Sequence, residues 1–409
     1  MPSSERNCDF VLAGNINLDF IPAFIASPGA EDSWSATLVP GKLIEVGPAV
    51  LSTGGSVANT GLALRRLGHT ASLFARIADD DHGRAIRDLL DRQAPGASDH
   101  LILSASGSTS YTIVMSPPGM DRLFLHGPGV NDQFTDADVP LAPLSGCKIF
   151  HFGYPPVMRR MYAEQGRELE ALFRKAKGAG AVTSLDMSKP DPQSTSGKVD
   201  WRTILERVLP FTDLFLPSFE EILFMLRREC YEDLERTHGC GNAAKGQTLG
   251  IVRELAGEMI AYGCAVAGIK LGDQGFYLRT ASDTSRLAPL KSKLGLDDAE
   301  WTGRELLSPC FETAVAGTTG AGDCTIAGFL AGLARGQSPR QALTSAVAVG
   351  ACSTEHPDAT SGIPPWESVQ RRIDAGWPRI VTASPGFDWR RDEEFGLWVG
   401  SLDGGFGAA

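Results

Sequence analysis

The sequence predicts an α/β protein whose central sheet is mostly parallel and is covered by helices on both faces. Short apolar segments alternate with amphipathic helical segments along most of the chain, and such alternation is typical of parallel sheets between two helix layers. Four apolar segments in the middle of the chain read as buried strands, namely CKIFHFG, GAVTSLDMS, TDLFLPS and CAVAGIKLG. Apolar residues make up 43% of the chain, enough for a large core.

The elements follow in order from the N-terminus. Residues 10–13 form a short apolar strand, and the helical segment SVANTGLALRRLG ends at Gly68. The next strand is predicted in TASLFARIADD, and the next helix in GRAIRDLLDRQ. Longer helices over residues 157–177 and 252–262 separate the central strands.

Two early segments, residues 20–53 and 108–128, interrupt this alternation with β patterns and turn glycines. We expect them to form a small β-sheet that covers one edge of the main domain as a lid. The second segment contains a predicted hairpin around residues 117–119. The main domain would then be discontinuous and would consist of residues 1–19, 54–107 and 129–375.

Three further segments lie outside this pattern. Residues 230–248 and 280–309 are polar and rich in glycine and aspartate, so we predict surface insertions there. The C-terminal extension over residues 376–409 mixes tryptophan, arginine and glycine, and its place in the fold is not predicted.

Charge and cysteine content limit the possible functions. The chain has 38 basic and 49 acidic residues and a net charge of −11, which disfavours nucleic acid and anionic membranes as partners. Its eight cysteines lack CxxC pairs and zinc-type spacing, as expected of reduced thiols in the cytoplasm. The N-terminus lacks signal-peptide features, and no apolar run approaches the roughly 20 residues of a membrane span.

The glycine-rich segment AGTTGAGDCTIAGFLAG contains the strongest functional signal. Ile326, Phe329 and Leu330 begin a helical repeat, so a helix starts near Asp323. Free backbone N–H groups at a helix N-terminus attract anions, and small residues allow close approach. Residues 320–322 therefore predict an anion hole, beside which Asp323 is either an N-cap or a general base.

A second group of polar residues lies near the N-terminus. Asn17 and Asp19 in GNINLDF point the same way if the backbone is extended. The segment STGGSVANTG adds Gly54, Gly55 and Asn59 at a helix start. Each residue alone is also typical of an ordinary turn, but amides and carboxylates together suit a ligand rich in hydroxyl groups.

Taken together, these motifs resemble the ribokinase-like (PfkB) carbohydrate kinase family. GNINLDF resembles its first sugar-binding segment, GGSVAN its N-terminal glycine signature and TTGAGD its C-terminal signature. ADDDHG resembles a further motif, with Asp80 and Gly83 in register and Ala78 where glycine is usual. The resemblance runs from about residue 9 to 356. It implies a three-layer α/β/α domain with a small β-sheet lid, and an ATP-dependent sugar kinase activity.

The resemblance also implies roles for individual residues. Asp323 would be the catalytic base, and Gly320, Ala321 and Gly322 would form the anion hole. The residues expected to bind the sugar are Asn17, Asp19, Gly54, Gly55, Asn59 and Tyr111. Those expected to contact ATP are Ser218, Lys270, Gly272, Gly275 and Thr319.

The metal sites of the family are matched only in part. The usual Asn-x-x-Glu magnesium motif corresponds to Ser218 and Glu221, so Glu221 is expected to hold Mg²⁺ through water. Gly317 stands where potassium-activated members carry aspartate, which argues against activation by a monovalent cation. The lid of the family often forms a dimer interface, so a homodimer is expected.

Alternatives to a sugar kinase remain open. A nucleoside kinase needs an aromatic wall for the base, and candidate lid residues for it are Phe20, Phe24, Trp34 and Tyr111. A phosphorylated sugar would need cations in the lid, where Lys42 and Arg122 are candidates. A catalytically silent, ligand-binding regulator is a third possibility, against which the intact Asp323 argues.

Overall fold

The fold consists of one large sheet between helices and a small separate sheet. The computed structural model describes residues 8–24, 39–116, 123–239, 248–381 and 385–406. The strands are β1 (Phe10–Gly14), β2 (Asn17–Phe24), β3 (Val46–Gly54), β4 (Ala71–Phe74), β5 (Arg76–Ala78), β6 (Ile102–Ser104), β7 (Tyr111–Met115), β8 (Leu123–Gly127), β9 (Ile149–Gly153), β10 (Val182–Asp186), β11 (Leu214–Phe215), β12 (Val266–Lys270), β13 (Phe276–Thr280), β14 (Glu305–Ser308), β15 (Trp389–Asp392) and β16 (Leu397–Gly400).

The helices alternate with these strands through most of the chain. They are α1 (Ser56–Arg66), α2 (Asp81–Gln93), α3 (Leu141–Gly146), α4 (Arg159–Tyr162), α5 (Arg167–Gly178), α6 (Trp201–Val208), α7 (Phe219–Leu226), α8 (Arg228–His238), α9 (Leu249–Tyr262), α10 (Thr284–Leu294), α11 (Asp298–Trp301), α12 (Ala321–Ala334), α13 (Pro339–Thr354) and α14 (Trp366–Asp374). None of the helices in the described ranges combines the length and the apolar composition that a bilayer crossing requires.

The large sheet has the strand order β15-β16-β14-β13-β12-β11-β10-β9-β1-β4. The six strands β4, β1, β9, β10, β11 and β12, which are neighbours in this order, all pair in parallel. The neighbours from β12 to β15 pair antiparallel. The predicted α/β fold with a mostly parallel sheet is therefore confirmed.

Two apolar cores lie on opposite faces of this sheet. In β1, Phe10 and Leu12 belong to one core, whereas Val11 and Ala13 belong to the other. Helices α1, α12 and α13 supply side chains to the first core, and α5, α6, α7 and α9 supply side chains to the second. Strands that are buried on both faces need continuous apolar sequence, which FVLAG and IFHFG provide. The three-layer α/β/α arrangement is thus confirmed.

Helices α12 and α13 are apolar around most of their circumference because both are almost completely buried. They also pack closely. A Cβ atom on Gly328 of α12 would lie 2.8 Å from Val349 Cβ of α13. Close packing of this kind fixes the N-terminus of α12, which carries the glycine-rich signature.

The small sheet has the order β3-β2-β7-β8 and corresponds to the predicted lid. Strands β7 and β8 pair antiparallel, as a hairpin requires, although the predicted turn over residues 117–119 lies outside the described residues. Strand β2 of this sheet begins at Asn17, before the predicted start of the lid at residue 20, and β3 ends at Gly54. Asn17 and Asp19 are therefore lid residues rather than residues of the main domain.

The ADDDHG motif connects α2 to the lid. Asp80 accepts hydrogen bonds from the backbone N–H groups of Gly83 and Thr109, both at 2.8 Å. A Cβ atom on Gly83 would lie 2.1 Å from Ala78 O, so glycine is needed there. The motif thus caps α2 and fixes the chain that leads into β7.

The prediction of a surface insertion over residues 280–309 is wrong. This segment forms α10, α11 and β14, and β14 lies inside the large sheet between β13 and β16. Trp301 and Leu306 are buried in the core. The polar residues of the segment belong to its helices and turns. Because they outnumber the four residues of β14, the composition of the segment did not indicate a buried strand. In the other predicted insertion, α8 carries many exposed residues, and residues 240–247 lie outside the described ranges.

The C-terminal extension completes the large sheet. Strands β15 and β16 form a hairpin at its edge, with Trp389, Leu397 and Val399 buried. The guanidinium group of Arg253 bonds to Glu305 and Asp388, so the extension is tied to β14 and α9.

Candidate active site

The predicted site residues meet at the carboxyl ends of the parallel strands, beside the small sheet. Ligands bind at this edge in open α/β sheets. Strand β1 leads into the lid there, β9 and β10 end there, and helices α1 and α12 begin there. The structure thus brings together Asn17, Asp19, Asn59, Lys270 and Asp323, which are far apart in sequence.

Helix α12 begins with small residues and has no side-chain cap. Gly320 has φ 70°, and a Cβ atom on it would lie 2.4 Å from Ala359 Cβ. Only glycine fits this turn without strain. The backbone N–H groups of Gly322 and Asp323, in the first turn, have no intrahelical acceptor and provide donors for an anion. The Ala321 N–H instead donates to Thr318 O at 3.3 Å, so the predicted anion hole stays a prediction whose donors would be Gly322 and Asp323.

Asp323 lies in this first turn and is 1% exposed. Its Oδ2 accepts a hydrogen bond from Asn59 Nδ2 at 2.9 Å. Tyr154 Oη lies 2.9 Å from both Oδ1 and Oδ2. Burial raises the pKa of Asp323, although both hydrogen bonds and the charge of Lys270 oppose this effect. The side chain does not cap its own helix, so the N-cap reading of Asp323 is not supported.

Asp19 lies on β2 in a polar network of the small sheet. Asn17 Nδ2 donates hydrogen bonds to Asp19 Oδ1 and, at 3.1 Å, to Thr112 Oγ1. A Cβ atom on Gly54 would lie 2.2 Å from Asp19 Oδ2, so the carboxylate occupies the space that this glycine leaves. Burial raises the pKa of Asp19 to about 7, and the charge of Asp323 adds to this effect.

Helix α1 also starts without a side-chain cap. Its N-cap residue Gly55 has φ 86°, and a Cβ atom there would lie 2.5 Å from Asn15 Oδ1. Asn59, in the second turn, is buried between α1 and α12. Its Oδ1 atom has no hydrogen-bond partner, although its Nδ2 binds Asp323. A buried amide oxygen without a donor fits a site for a hydroxyl group.

Lys270 ends β12 and faces the start of α12. Its Nζ lies 2.6 Å from Asp186 Oδ1, and the side chain is only 11% exposed. Burial would lower the pKa of Lys270, but the charges of Asp186 and Glu221 outweigh it and raise the pKa. The Nζ atom would lie 3.7 Å from a Cβ atom placed on Gly322, so this ammonium lies on the anion side of the site.

Glu221 has a structural role besides any metal binding. The backbone N–H of Ser218 donates to Glu221 Oε2 at 2.6 Å, and the two residues form a capping box at the start of α7. Burial raises the pKa of Glu221. The spacing that resembles the magnesium motif therefore also explains the N-terminus of a helix.

The surroundings of these residues fit a hydrated magnesium ion. The buried Asp186 and Asp323 and the partly buried Glu221 lie around the ammonium of Lys270, and Asp186 Oδ2 has no hydrogen-bond partner. Within the described ranges, no three acidic, histidine or cysteine side chains form a ready metal cage. Mg²⁺ commonly uses one or two carboxylates, waters and substrate phosphates, which agrees with such a site.

The remaining predicted nucleotide residues lie around this edge. Gly272 and Gly275 form the turn between β12 and β13, and a Cβ atom on Gly275 would lie 2.0 Å from Ser308 O. Thr319 precedes the anion hole and is partly buried. Gly317 packs against Pro357, with 2.9 Å between the position of a Cβ atom and Pro357 Cα, so aspartate would not fit without movement.

Three aromatic side chains form a group where the lid meets α2. Tyr111 is 38% exposed, and its ring centroid lies 6.4 Å from that of Phe20 and 5.6 Å from that of His82. Phe24 ends β2 and is partly buried, and Lys42 is exposed. Trp34 and Arg122 lie outside the described residues.

Sequence reasoning missed Tyr154, Asp186 and Thr112. Tyr154 follows β9 directly and has φ 68°, a left-handed conformation that is rare for a residue other than glycine. Asp186 is the last residue of β10. A polar residue at the end of a buried strand was the available signal for both, because the carboxyl ends of neighbouring parallel strands lie together.

Comparison with known proteins agrees with this architecture. The chain is 23% identical over 303 residues to an uncharacterized sugar kinase from Archaeoglobus fulgidus, covering 74% of this chain and 98% of that protein. A fructokinase structure with bound ATP from Xylella fastidiosa aligns with a TM-score of 0.64 and 17% identity, over 90% of this chain and 98% of the other. A nucleoside kinase structure from Methanocaldococcus jannaschii has a TM-score of 0.59, 16% identity and coverage of 90% and 99%.

The structural likenesses establish the fold alone, because their identities are low. The family described as pfkB family carbohydrate kinase matches residues 30–366, which is most of the chain. This match includes α1, the turn between β12 and β13, and the glycine-rich start of α12. The protein therefore belongs to the pfkB family of carbohydrate kinases and is an ATP-dependent carbohydrate kinase.

Proposed function

We propose that this protein transfers the γ-phosphate of ATP to a hydroxyl group of an uncharged sugar, with Asp323 as the general base. One observation carries the proposal. A buried carboxylate, oriented by Asn59 and Tyr154, lies in the first turn of a helix whose N-terminal amides have no side-chain cap. A proton acceptor and an anion site are thus adjacent, as phosphoryl transfer to a hydroxyl group requires.

The proposed reaction follows from this geometry. Asp323 accepts the proton of the sugar hydroxyl while the hydroxyl oxygen forms a bond to the γ-phosphorus, and the bond from phosphorus to the β,γ-bridging oxygen breaks to release ADP. Backbone N–H groups of Gly322 and Asp323 stabilise the charge on the phosphoryl oxygens. Lys270 orients the phosphates electrostatically. When bound, Mg²⁺ neutralises phosphate charge, and Asp186 and Glu221 would hold it, directly or through water.

The acceptor would lie between the lid and α1. Asn17 and Asp19 on β2 and Asn59 on α1 offer amide and carboxylate groups to its hydroxyls, and the polar network through Thr112 fixes Asn17. Gly54 leaves the space that the Asp19 carboxylate occupies, and Gly55 leaves the space beside Asn15, so both glycines let the groups that line the acceptor site pack closely. Covering this site with the small sheet would exclude water and so protect ATP from hydrolysis.

The charges of the lid support an uncharged acceptor. Residues 17–54 and 108–128 contain only two cationic side chains, Lys42 and Arg122. Lys42 is exposed. Asp19 and Asp323 place negative charge beside the acceptor, which would repel a carboxylate or a phosphate group on it. A sugar acid or sugar phosphate is therefore a poorer fit than a neutral sugar.

A nucleoside is the second candidate acceptor. The aromatic group of Phe20, His82 and Tyr111 lies on α2 and on the central strands β2 and β7 of the small sheet. Phe20 and Tyr111 alternate with Asp19 and Thr112 along these strands and therefore lie on the opposite face of the sheet. The ribose of a nucleoside would use the same amide and carboxylate groups as a free sugar, but these two rings would not contact its base, so a neutral sugar is the better fit.

The outer face of the small sheet supports a homodimer. Leu51 on β3 and Leu125 on β8 are each about half exposed and lie on the same face of the sheet as Phe20, opposite Asp19, where they form an apolar surface. A second copy of the lid would cover it. Sedimentation of the wild type and of a Leu51→Lys, Leu125→Lys double variant tests this, because only the wild type should form a dimer.

The central experiment is an ATP-consumption assay with Mg²⁺, with and without K⁺. The acceptor panel contains neutral pentoses and hexoses, nucleosides, sugar acids and sugar phosphates. We expect turnover of a neutral sugar, and a loss of about 10²- to 10⁴-fold in Asp323→Asn. The matched control is Asp88→Asn, since Asp88 is an exposed aspartate on α2. Turnover in Asp323→Asn at the wild-type rate would refute the role of Asp323.

A further inference from the structure

Among the described residues of the site, Tyr154 is the one residue other than glycine whose backbone is left-handed. It follows the last residue of β9 directly and adopts φ 68° and ψ 44°. A tyrosine has no local reason to take this left-handed conformation, so neighbouring structure must hold it there. Its backbone N–H donates to Asp186 O at 3.3 Å, which joins it to the end of β10.

This backbone conformation places the phenol against the proposed base. Tyr154 Oη lies 2.9 Å from both carboxylate oxygens of Asp323, 169 positions away in the chain. Burial raises the pKa of Tyr154 well above its ordinary value, and the charges of Asp323, Asp186 and Glu221 raise it further. The phenol therefore keeps its proton at physiological pH and donates it in a hydrogen bond to the ionised Asp323 carboxylate.

Two donors from different elements now hold one carboxylate. Asn59 Nδ2 on α1 binds Oδ2, and Tyr154 after β9 lies between the two oxygens. An ionised carboxylate has about four acceptor positions. A lone pair of Oδ1 therefore remains available for the hydroxyl group of a substrate, while rotation of the carboxylate is restricted.

We infer that Tyr154 is a positioning residue, which holds the ionised Asp323 carboxylate in the orientation that accepts the proton of the acceptor hydroxyl. This inference rests on the proposed function, in which Asp323 is the base. It assigns to Tyr154 a role that none of the sequence motifs indicated.

The electrostatic surroundings explain why such a donor is needed. Asp323 is buried, and the charged groups that face it are Asp19 from β2, Asp186 from β10, Glu221 from α7 and Lys270 from β12. Burial raises the pKa of Asp323 and so favours its protonated form, whereas the hydrogen bonds from Asn59 and Tyr154 and the charge of Lys270 oppose this. A protonated Asp323 cannot accept the proton of the substrate. Hydrogen bonds to the ionised form therefore keep the base active at neutral pH.

The test compares the pH profiles of kcat/KM for the acceptor in wild type and Tyr154→Phe. Loss of a hydrogen bond to a charged group should lower kcat of Tyr154→Phe by about 10- to 100-fold. It should also shift the acid limb of the profile upward by about 1–2 pH units, because the ionised form of Asp323 loses a donor. The KM for ATP should stay within twofold. A purely structural tyrosine would lower the melting temperature without moving the acid limb.

Further variants keep the outcome interpretable. Tyr162→Phe is the matched control, because Tyr162 lies on α4 and packs near Trp201, and its profile should match the wild type. Tyr154→Asn removes the phenol but tolerates the left-handed backbone. It should therefore show the same shift even if Tyr154→Phe folds poorly.

Each result decides between the two claims. An unchanged acid limb in both well-folded Tyr154 variants, with Asp323→Asn inactive, overturns the inference and leaves the proposed base in place. Full activity of Asp323→Asn instead overturns the proposed function itself. A shifted limb in both Tyr154 variants and an inactive Asp323→Asn support both.

Discussion

Replacing Gly54 with alanine tests directly whether Asp19 binds the acceptor. The two residues are diagonal neighbours on β2 and β3, because Asn17 pairs with Gly54 and Asp19 with Ser52. The added methyl group would lie 2.2 Å from Asp19 Oδ2 and 2.5 Å from its Cγ. Ordinary van der Waals contact begins near 3.4 Å, so the carboxylate must move away by the difference.

The expected effect is large on catalysis and small on folding. A misplacement of about 1 Å in a positioning group costs on the order of hundredfold. We therefore expect kcat/KM for the acceptor to fall by about hundredfold, mostly through KM. The backbone of Gly54 is not left-handed, so alanine itself adds no backbone strain.

Initial rates with varied acceptor and saturating ATP measure this effect, and the KM for ATP should stay within twofold. Gly178→Ala is the matched control, because a Cβ atom on Gly178 at the end of α5 meets nothing within 4 Å. A Gly54→Ala enzyme that binds its acceptor as tightly as wild type would refute the placement of Asp19 in the acceptor site.

Three further predictions concern charge and packing. Burial raises the pKa of Asp19 to about 7, so the KM for the acceptor should rise as pH falls from 8 to 6, and Asp19→Asn should remove this dependence. Lys270→Met leaves Asp186 buried without its partner and should lower the free energy of unfolding by about 3–5 kcal/mol at pH 8, and less at pH 5, where carboxyl groups protonate. Chemical denaturation measures this loss. Trp301→Ala should cost about 3–5 kcal/mol by the same method without changing the KM for either substrate, because the buried indole belongs to the core.

The parts of the site that sequence predicted are those that short motifs encode. Gly320, Gly322 and Asp323 are adjacent in the chain, so the start of α12 and its anion hole follow from one segment. Gly54 and Gly55 likewise precede α1 directly. Local periodicity and turn chemistry were sufficient there, and the same signals gave the alternating strands and helices of the large sheet.

The rest depends on contacts that no local pattern contains. Tyr154 meets Asp323 only because β9 ends beside the N-terminus of α12, and Asp186 meets Lys270 only because β10 and β12 end at the same edge of the sheet. The strand β14 was missed for a different reason. It has four residues, and the polar helices before it suggested a surface segment, whereas pairing with β13 and β16 determines its conformation.

The short connection between β1 and β2 has a consequence for how substrates enter and leave. In this connection only Asn15 and Ile16 lie between the large sheet and the small one. The Ile16 N–H donates to Asn131 Oδ1, and Asn131 Nδ2 donates to Ile16 O. Any rotation of the small sheet about this hinge carries Asn17 and Asp19 with it, while Asp323 stays on the main domain. Opening would therefore withdraw the side chains that bind the acceptor in the same movement that exposes the acceptor site to solvent. Product release and the loss of affinity for the acceptor would then occur together.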